Sequence, residues 1–388
     1  MAGCLKCITR SKEKQILVKI NIVLPHQLTF PPTKGGGVEV LNWTLVKEFV
    51  RSGNEVVTYS RESHNDIVDS VHQTQLRHVR VKGYDLNKNR WLDHLNALSY
   101  FRRVLPQLQR ADVTSFHTPF SFLSTGKRGI GACTHTIHRT PKINVICYSK
   151  LDRLYCGSDA VLSQALGIAP WLSQIKRIYN CVSIAEHIPK ITLSVPNGVT
   201  FLYVGRFVRD KGVEVLIEAF ASMMERFPKN RLWTIGPQSS ETGGDTHFYT
   251  DMCRYVKEKQ MDRLVTFYEP IFDRPALAAR IQSADVICVP SLSGETFSMA
   301  VIEAMALAKP VLVSDFGPMP EAVEHQKTGY ISQAGNSASL AAGMRFFSEH
   351  KNLITEIGNA AREKVRREFS AEAIAGQYLV DFEDIRKA

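Results

Sequence analysis

Residues 201–237 read FLYVGRFVRDKGVEVLIEAFASMMERFPKNRLWTIGP, and their order decides the fold class. Phe201–Val204 is a short apolar strand. Gly212–Arg226 reads as a helix, and Arg231–Ile235 as a second strand closed by Gly236-Pro237. Strand, loop, helix and strand in that order make the unit of a parallel, doubly wound sheet. The series continues with a helix over Phe248–Lys259, a strand over Leu264–Tyr268 and a helix over Ala276–Ser283. Val286–Pro290 is then a strand, Ser298–Leu307 a helix and Val311–Ser314 another strand.

The same unit appears earlier. A strand over Gln15–Leu24 leads into a loop with Pro25, Pro31, Pro32 and three glycines. Val38, Leu41, Leu45, Val46 and Phe49 have helical spacing and end at Ser52-Gly53, before a strand over Glu55–Tyr59. A helix over Trp91–Leu108 precedes a strand over Asp112–Phe116. The chain of 388 residues is too long for one typical domain. The expected architecture is α/β, with two Rossmann-like domains facing across a cleft and joined near residues 183–197. The divisions are 1–190, 191–370 and a C-terminal helix within 371–388, Glu372–Arg386, which packs back across the first domain. Ligands of such sheets bind in the crevice between facing edges.

Charge separates the halves. Residues 1–190 hold 26 Lys+Arg against 13 Asp+Glu, and residues 191–388 hold 22 against 25. An anionic membrane surface or a phosphorylated acceptor suits the basic half; a solvated basic surface accounts for the same imbalance. Nucleic acid is not expected, because the aromatics are not interleaved with the cations and no finger, RNA-recognition or helix-turn-helix pattern appears. Leu92–Gln109, with Arg102, Arg103 and Arg110, is an amphipathic stretch that adds to the membrane reading. No apolar run reaches the roughly 18 residues needed to span a bilayer. The start, MAGCLKCITRSKEK, has no hydrophobic signal-peptide core. The expected compartment is cytoplasmic, with peripheral attachment to the inner face of the cytoplasmic membrane. Eight cysteines are scattered, and Cys133, His135 and His138 lack a fourth ligand at a recognisable zinc spacing, so no metal is expected and reduced thiols are.

The richest local signal is SGETFSMAVIEAMALAKP, residues 293–310. From Phe297 to Ala308 only Ser298 and Glu303 are polar, so the helix should be buried and the Glu303 carboxylate should need a partner. Glu295 precedes it in the entry turn. One acid in the loop and one in the helix suggest a polar ligand at a helix N-terminus. Arg206 follows the 201–204 strand and Lys211 opens the next helix, where the macrodipole disfavours a cation unless it shares an anion such as a diphosphate. Gly35, Gly36 and Gly37 form a strand-to-helix loop whose amides can approach phosphate or sugar. That loop is neither a P-loop nor Gly-x-Gly-x-x-Gly. His117 directly follows a strand.

Together these segments resemble a GT-B glycosyltransferase of family 4, a group of retaining enzymes that use nucleotide sugars. Glu295-x7-Glu303 with Lys309-Pro-Val matches the signature. Val204-Gly-Arg-Phe with Lys211-Gly212 matches the diphosphate segment, Gly35-Gly-Gly-Val38 the glycine loop, and His117 the histidine closing an early strand. Asp159-Ala-Val-Leu-Ser-Gln resembles the strand before the interdomain linker. The usual Asn-Gly-Val has two counterparts, Asn180-Cys-Val182 and Asn197-Gly-Val199, of which Asn180 fits the spacing. Ala308 and Ser298 stand where glycine is common.

The resemblance implies roles. Glu303 accepts hydrogen bonds from the ribose diol, and Arg206 and Lys211 hold the diphosphate. Amides near Phe297, Ser298 and Met299 bind phosphate or sugar, Glu295 meets the donor sugar, and His117 lines the sugar pocket from the other domain. Gly36 and Gly37 let the first domain close. The implied partners are a nucleotide-sugar donor and a glycan or lipid-linked acceptor, with no cofactor beyond the donor. A GT-B sugar-nucleotide epimerase, a phosphorylase and a non-catalytic carbohydrate-binding protein are the alternatives.

Overall fold

The computed structural model describes residues 17–32, 36–62, 75–85, 89–184 and 198–387. Gly35, the Cys4 and Cys7 pair, Asn197 and most of the join at 183–197 lie outside the described residues.

Seven strands form the first sheet: β1 (Lys19–Val23), β2 (Glu55–Arg61), β3 (Leu76–Val81), β4 (Val113–Phe116), β5 (Ala132–Ile137), β6 (Arg153–Cys156) and β7 (Ile175–Arg177). Six form the second: β8 (Thr200–Val204), β9 (Arg231–Ile235), β10 (Val265–Tyr268), β11 (Val286–Val289), β12 (Val311–Ser314) and β13 (Gly329–Ser332). The helices of the first half are α1 (Gly37–Arg51), α2 (Arg90–Val104) and α3 (Asp159–Ile168). Those of the second are α4 (Val213–Ala221), α5 (Thr246–Glu258), α6 (Arg274–Ser283), α7 (Met299–Ala306), α8 (Met319–Ala322), α9 (Ser337–Glu349), α10 (Lys351–Glu368) and α11 (Ala371–Lys387).

Every pairing in both sheets is parallel. The orders are β3-β2-β1-β4-β5-β6-β7 and β10-β9-β8-β11-β12-β13. Each sheet therefore winds one way from its first strand and then reverses, at β1/β4 and at β8/β11. These are the two topological switch points, where adjacent loops splay apart and leave a crevice. Strands β4, β11 and β12 are buried at every position, as expected of sheets covered on both faces.

Two sequence expectations are corrected. Asp159–Gln164 is not a strand: Ser158 accepts from the Val161 amide and caps α3 there. The strands before the join are β6 and β7. The helix expected from Ser298 to Leu307 is α7, eight residues long, and it ends where Ala308 turns to a positive φ of 54°.

The C-terminal helix crosses back as expected. Ala371, Ile374, Tyr378, Leu379 and Phe382 pack with Leu45, Phe49 and Tyr155 in one apolar cluster of the first sheet. Asp381 is buried and accepts from Tyr155 Oη at 2.7 Å and Arg153 Nε at 2.9 Å, with Lys176 as a third partner. At the crossing, the Val182 amide donates to Phe369 O and the Ala371 amide donates to Val182 O, both at 3.0 Å.

Candidate functional site

The sequence-predicted residues collect at the two switch points. Arg206 and Lys211 follow β8, whereas Glu295, Phe297 and Ser298 follow β11. Gly36 and Gly37 precede α1 after β1, and His117 follows β4.

Lys211 and Glu295 are joined directly. Lys211 Nζ lies 2.6 Å from Glu295 Oε1, and Ser291 Oγ donates to the same oxygen at 3.0 Å. Both side chains are mostly withdrawn from water, at 17% and 14% exposure. A pair so shielded interacts more strongly than an exposed one, yet each partner keeps unfilled hydrogen-bonding capacity. The backbone that sets Lys211 here turns through Gly212 at φ 70°, where a Cβ would meet the Pro290 carbonyl oxygen at 2.0 Å. Glycine is what lets this turn lie against the end of β11. Arg206 is exposed and reaches the other way, its Nη1 donating to Gly243 O at 3.4 Å.

Glu303 brings the main departure from expectation. Its carboxylate, 13% exposed, already has a protein partner: Arg274, the first residue of α6, donates through Nη2 to Oε1 at 2.6 Å and through Nη1 to Oε2 at 3.4 Å. Burial therefore does not by itself require a ligand there. Phe297 and Ser298 are buried, and Ser298 occupies the N-cap of α7 without a side-chain capping bond. Met299 is the first helical residue.

Across the crevice, Gly36 is the N-cap of α1 at φ 97°, with Gly37 beginning the helix. The Glu39 carboxylate fills the space beside it, since a Cβ on Gly36 would lie 2.3 Å from Glu39 Oε2. Burial pushes the Glu39 carboxyl up from its ordinary range. His117 is only 7% exposed. Its Nδ1 lies 2.7 Å from His138 Nε2 and its Nε2 lies 3.2 Å from Ser115 Oγ. His135, on β5, stacks on Tyr148 with ring centroids 4.0 Å apart. Burial lowers His117 well below the usual histidine range, helped by the neighbouring histidines. It lowers His135 to about 3 and His138 to about 4. All three rings are neutral near pH 7. Among the described residues no group of three or more His, Cys, Asp or Glu converges as a metal site.

The two halves touch beside these groups. Thr296, between Glu295 and Phe297, donates through Oγ1 to His138 O at 3.4 Å, and its carbonyl accepts from Ser158 Oγ at 2.7 Å. Both carboxylate oxygens of Glu321 in α8 accept the amides of Asp159 and Ala160 at the start of α3, at 2.8 and 2.9 Å. Sequence reasoning missed Arg274, Ser158 and Glu321. Asp273-Arg-Pro announces a helix start but nothing about Glu303.

Comparison with known proteins agrees with the two-sheet α/β fold. The family described as "Glycosyl transferases group 1" matches residues 185–364, and that described as "Glycosyltransferase Family 4" matches residues 35–186. A phosphatidyl-myo-inositol mannosyltransferase of Mycobacterium leprae is 28% identical over 48% of this chain and 47% of its own. A D-inositol 3-phosphate glycosyltransferase of Pseudarthrobacter chlorophenolicus is 31% identical over 43% of this chain and 38% of its own. The chain thus spans half or less of the length of these curated relatives. Anabaena HepE, solved in complex with UDP, superposes with a TM-score of 0.75 at 17% identity, over 94% of this chain and 100% of that one.

Proposed function

The chain belongs to the group 1, family 4 glycosyltransferases, and from that premise we propose that it moves a sugar from a nucleotide-diphosphate sugar to a hydroxyl of a glycan or lipid-linked acceptor, with retention at the anomeric carbon. The observation that carries the reading is the shielded Lys211–Glu295 pair at the β8/β11 switch point. A lysine at this mouth balances a departing diphosphate, and a carboxylate fixed against it can accept a hydrogen bond from a sugar hydroxyl. Solved structures of the fold neighbour HepE contain UDP and UDP-glucose, which supports a nucleotide-sugar donor here.

In this reading Arg206 swings from Gly243 to join Lys211 on the diphosphate. Glu303 takes the ribose hydroxyls through the carboxylate oxygen that Arg274 holds more loosely. The acceptor hydroxyl attacks the anomeric carbon on the face the phosphate leaves, and a phosphate oxygen takes its proton. Two side-chain cations carry the charge that a metal would otherwise balance. The pathway we infer is cell-surface polysaccharide or glycolipid synthesis.

Lys211→Ala and Glu295→Ala should each lower turnover by about 100-fold or more while each variant keeps the fold, read from its far-ultraviolet circular dichroism. UDP-glucose, GDP-mannose and UDP-N-acetylglucosamine are the donors to screen, first by the stabilisation each confers. Wild-type turnover in either variant would remove the assignment.

Attachment to an anionic membrane is a second element of the proposal. On α2, Ala97, Tyr100, Phe101 and Val104 face the core, whereas Trp91, Leu92 and Leu95 are exposed, Trp91 by 81%. Arg102 is exposed on the same helix. An exposed apolar N-terminal end and a basic last turn on one helix suit the headgroup boundary. Among the described residues no helix is long and apolar enough to cross a bilayer. Flotation with phosphatidylserine vesicles at low salt should carry the protein upward, and Trp91→Ala with Leu95→Ala should abolish this. Sedimentation of the parent away from the vesicles would refute attachment.

A further inference from the structure

Glu303 is the one polar residue of α7. Among the described residues, Arg274 is the one side chain that its carboxylate meets. The two contacts are unequal: Nη2 lies 2.6 Å from Oε1, and Nη1 lies 3.4 Å from Oε2. A carboxylate only accepts, and its two oxygens together offer about four lone-pair sites. Oε2, the more loosely held oxygen, keeps the most room for a further donor. The guanidinium is the outer partner of the pair, 48% exposed against 13% for the carboxylate.

Helix α6 has other means of attachment than this pair. Its Leu277 and Ile281 join Ile302 and Met305 of α7 in one apolar cluster. Asp273 caps it by accepting the Ala276 amide at 2.9 Å, and Pro275 restrains its first turn. Arg274 stands at the first helical position, where the macrodipole disfavours a cation. What the placement achieves is orientation. The last torsion of a glutamate is broad and roughly two-fold, so the side chain by itself does not set the plane of its carboxylate. Two donors in a rigid fork do set it. Because α6 follows β10 and α7 follows β11, the first turns of both helices lie at the crevice end of the second sheet.

We propose that Arg274 is a positioning residue for nucleotide selection: by fixing the plane of the Glu303 carboxylate, it lets the site tell a ribose from a 2′-deoxyribose. A vicinal diol presents two O–H donors at a set spacing, and an oriented carboxylate can accept both. Arg274 holds the carboxylate from its outer side and leaves Oε2 the freer oxygen for the sugar. The inference rests on the transferase reading, in which Glu303 meets the ribose, and adds the group that makes this contact selective.

Binding calorimetry with UDP, GDP and ADP, each beside its 2′-deoxy counterpart, tests it. The parent should bind at least one of these ribonucleotides about 10-fold or more tighter than its 2′-deoxy form, the scale of one hydrogen bond to a charged group. In Arg274→Ala that ratio should fall to about 2-fold or less, through weaker binding of the ribonucleotide. Arg274→Lys keeps the charge but replaces the fork by a single ammonium, and its ratio should lie between the two. A merely structural loss would weaken both nucleotides alike and leave the ratio as in the parent; that result would overturn the proposal. Tighter ribonucleotide binding in Arg274→Ala would overturn it too, since Arg274 would then be standing in the sugar's place. A parent that binds a ribonucleotide without preferring it to the 2′-deoxy form would remove the proposal and spare the transferase reading. A parent that binds none of the three would sink both.

Discussion

His135 carries a neutral ring stacked on Tyr148, with Ser121 Oγ 3.0 Å from its Nδ1. Its pKa of about 3, and that of about 4 for His138, come first from burial. In the unfolded chain each titrates near the ordinary 6.5. Between these values the unfolded state binds protons that the folded state refuses. The stability contributed by the neutral rings is therefore complete above about pH 6.5 and drains away as pH falls towards 4 and then 3. Urea midpoints compared at about pH 7 and pH 4.5 should fall less for His135→Phe than for the parent, and an equal fall would contradict this account. At this scale the sequence revealed groups whose meaning was local. Lys211 beside Gly212, and Glu295 opening an apolar helix, were legible because their neighbours in sequence were odd. Arg274 was not, since its partner Glu303 is 29 residues away and only the packing of α6 against α7 introduces them.

Helix α3 has the most instructive boundary. Asp159-Ala-Val-Leu is placed in a strand by its resemblance to the family's segment, yet the preceding Ser158 caps a helix and the second half supplies a further cap, the Glu321 carboxylate on two free amides. A long-range capping group cannot be seen from local sequence. Removing it by Glu321→Ala leaves two amides without acceptors and takes a negative charge from a helix N-terminus. The expected cost is about 1–2 kcal/mol in unfolding free energy. Because the contact spans the crevice, the radius of gyration from solution scattering should also rise; a stability loss with unchanged scattering would make Glu321 a local cap only. Elements whose signal was repetitive were easier to read. The strands β1, β2, β4, β8, β9, β10, β11 and β12 stood out, whereas β3, β5, β6, β7 and β13 were missed, being short or polar in composition.

Across the whole molecule, two parallel sheets with a crevice between them followed from the repeated strand–helix order, and the return of the last helix was expected. What holds that helix was not. Asp381 is buried against Tyr155, Arg153 and Lys176, and Asp381→Ala would leave those donors without their acceptor. A loss of about 3–5 kcal/mol is expected, measured by chemical unfolding, with early proteolysis in residues 371–387. A loss below about 1 kcal/mol would mean that the apolar face of α11 alone secures it. The attachment of α11 has a genealogical consequence. The first domain is discontinuous: its core is completed by residues that lie after the whole of the second domain in the sequence. A recombination event at the join could not exchange the second half as a cassette. It would import a foreign α11 into a groove shaped by Phe49 and Tyr155, so descendants with a new second half must also inherit a last helix that fits the old first one.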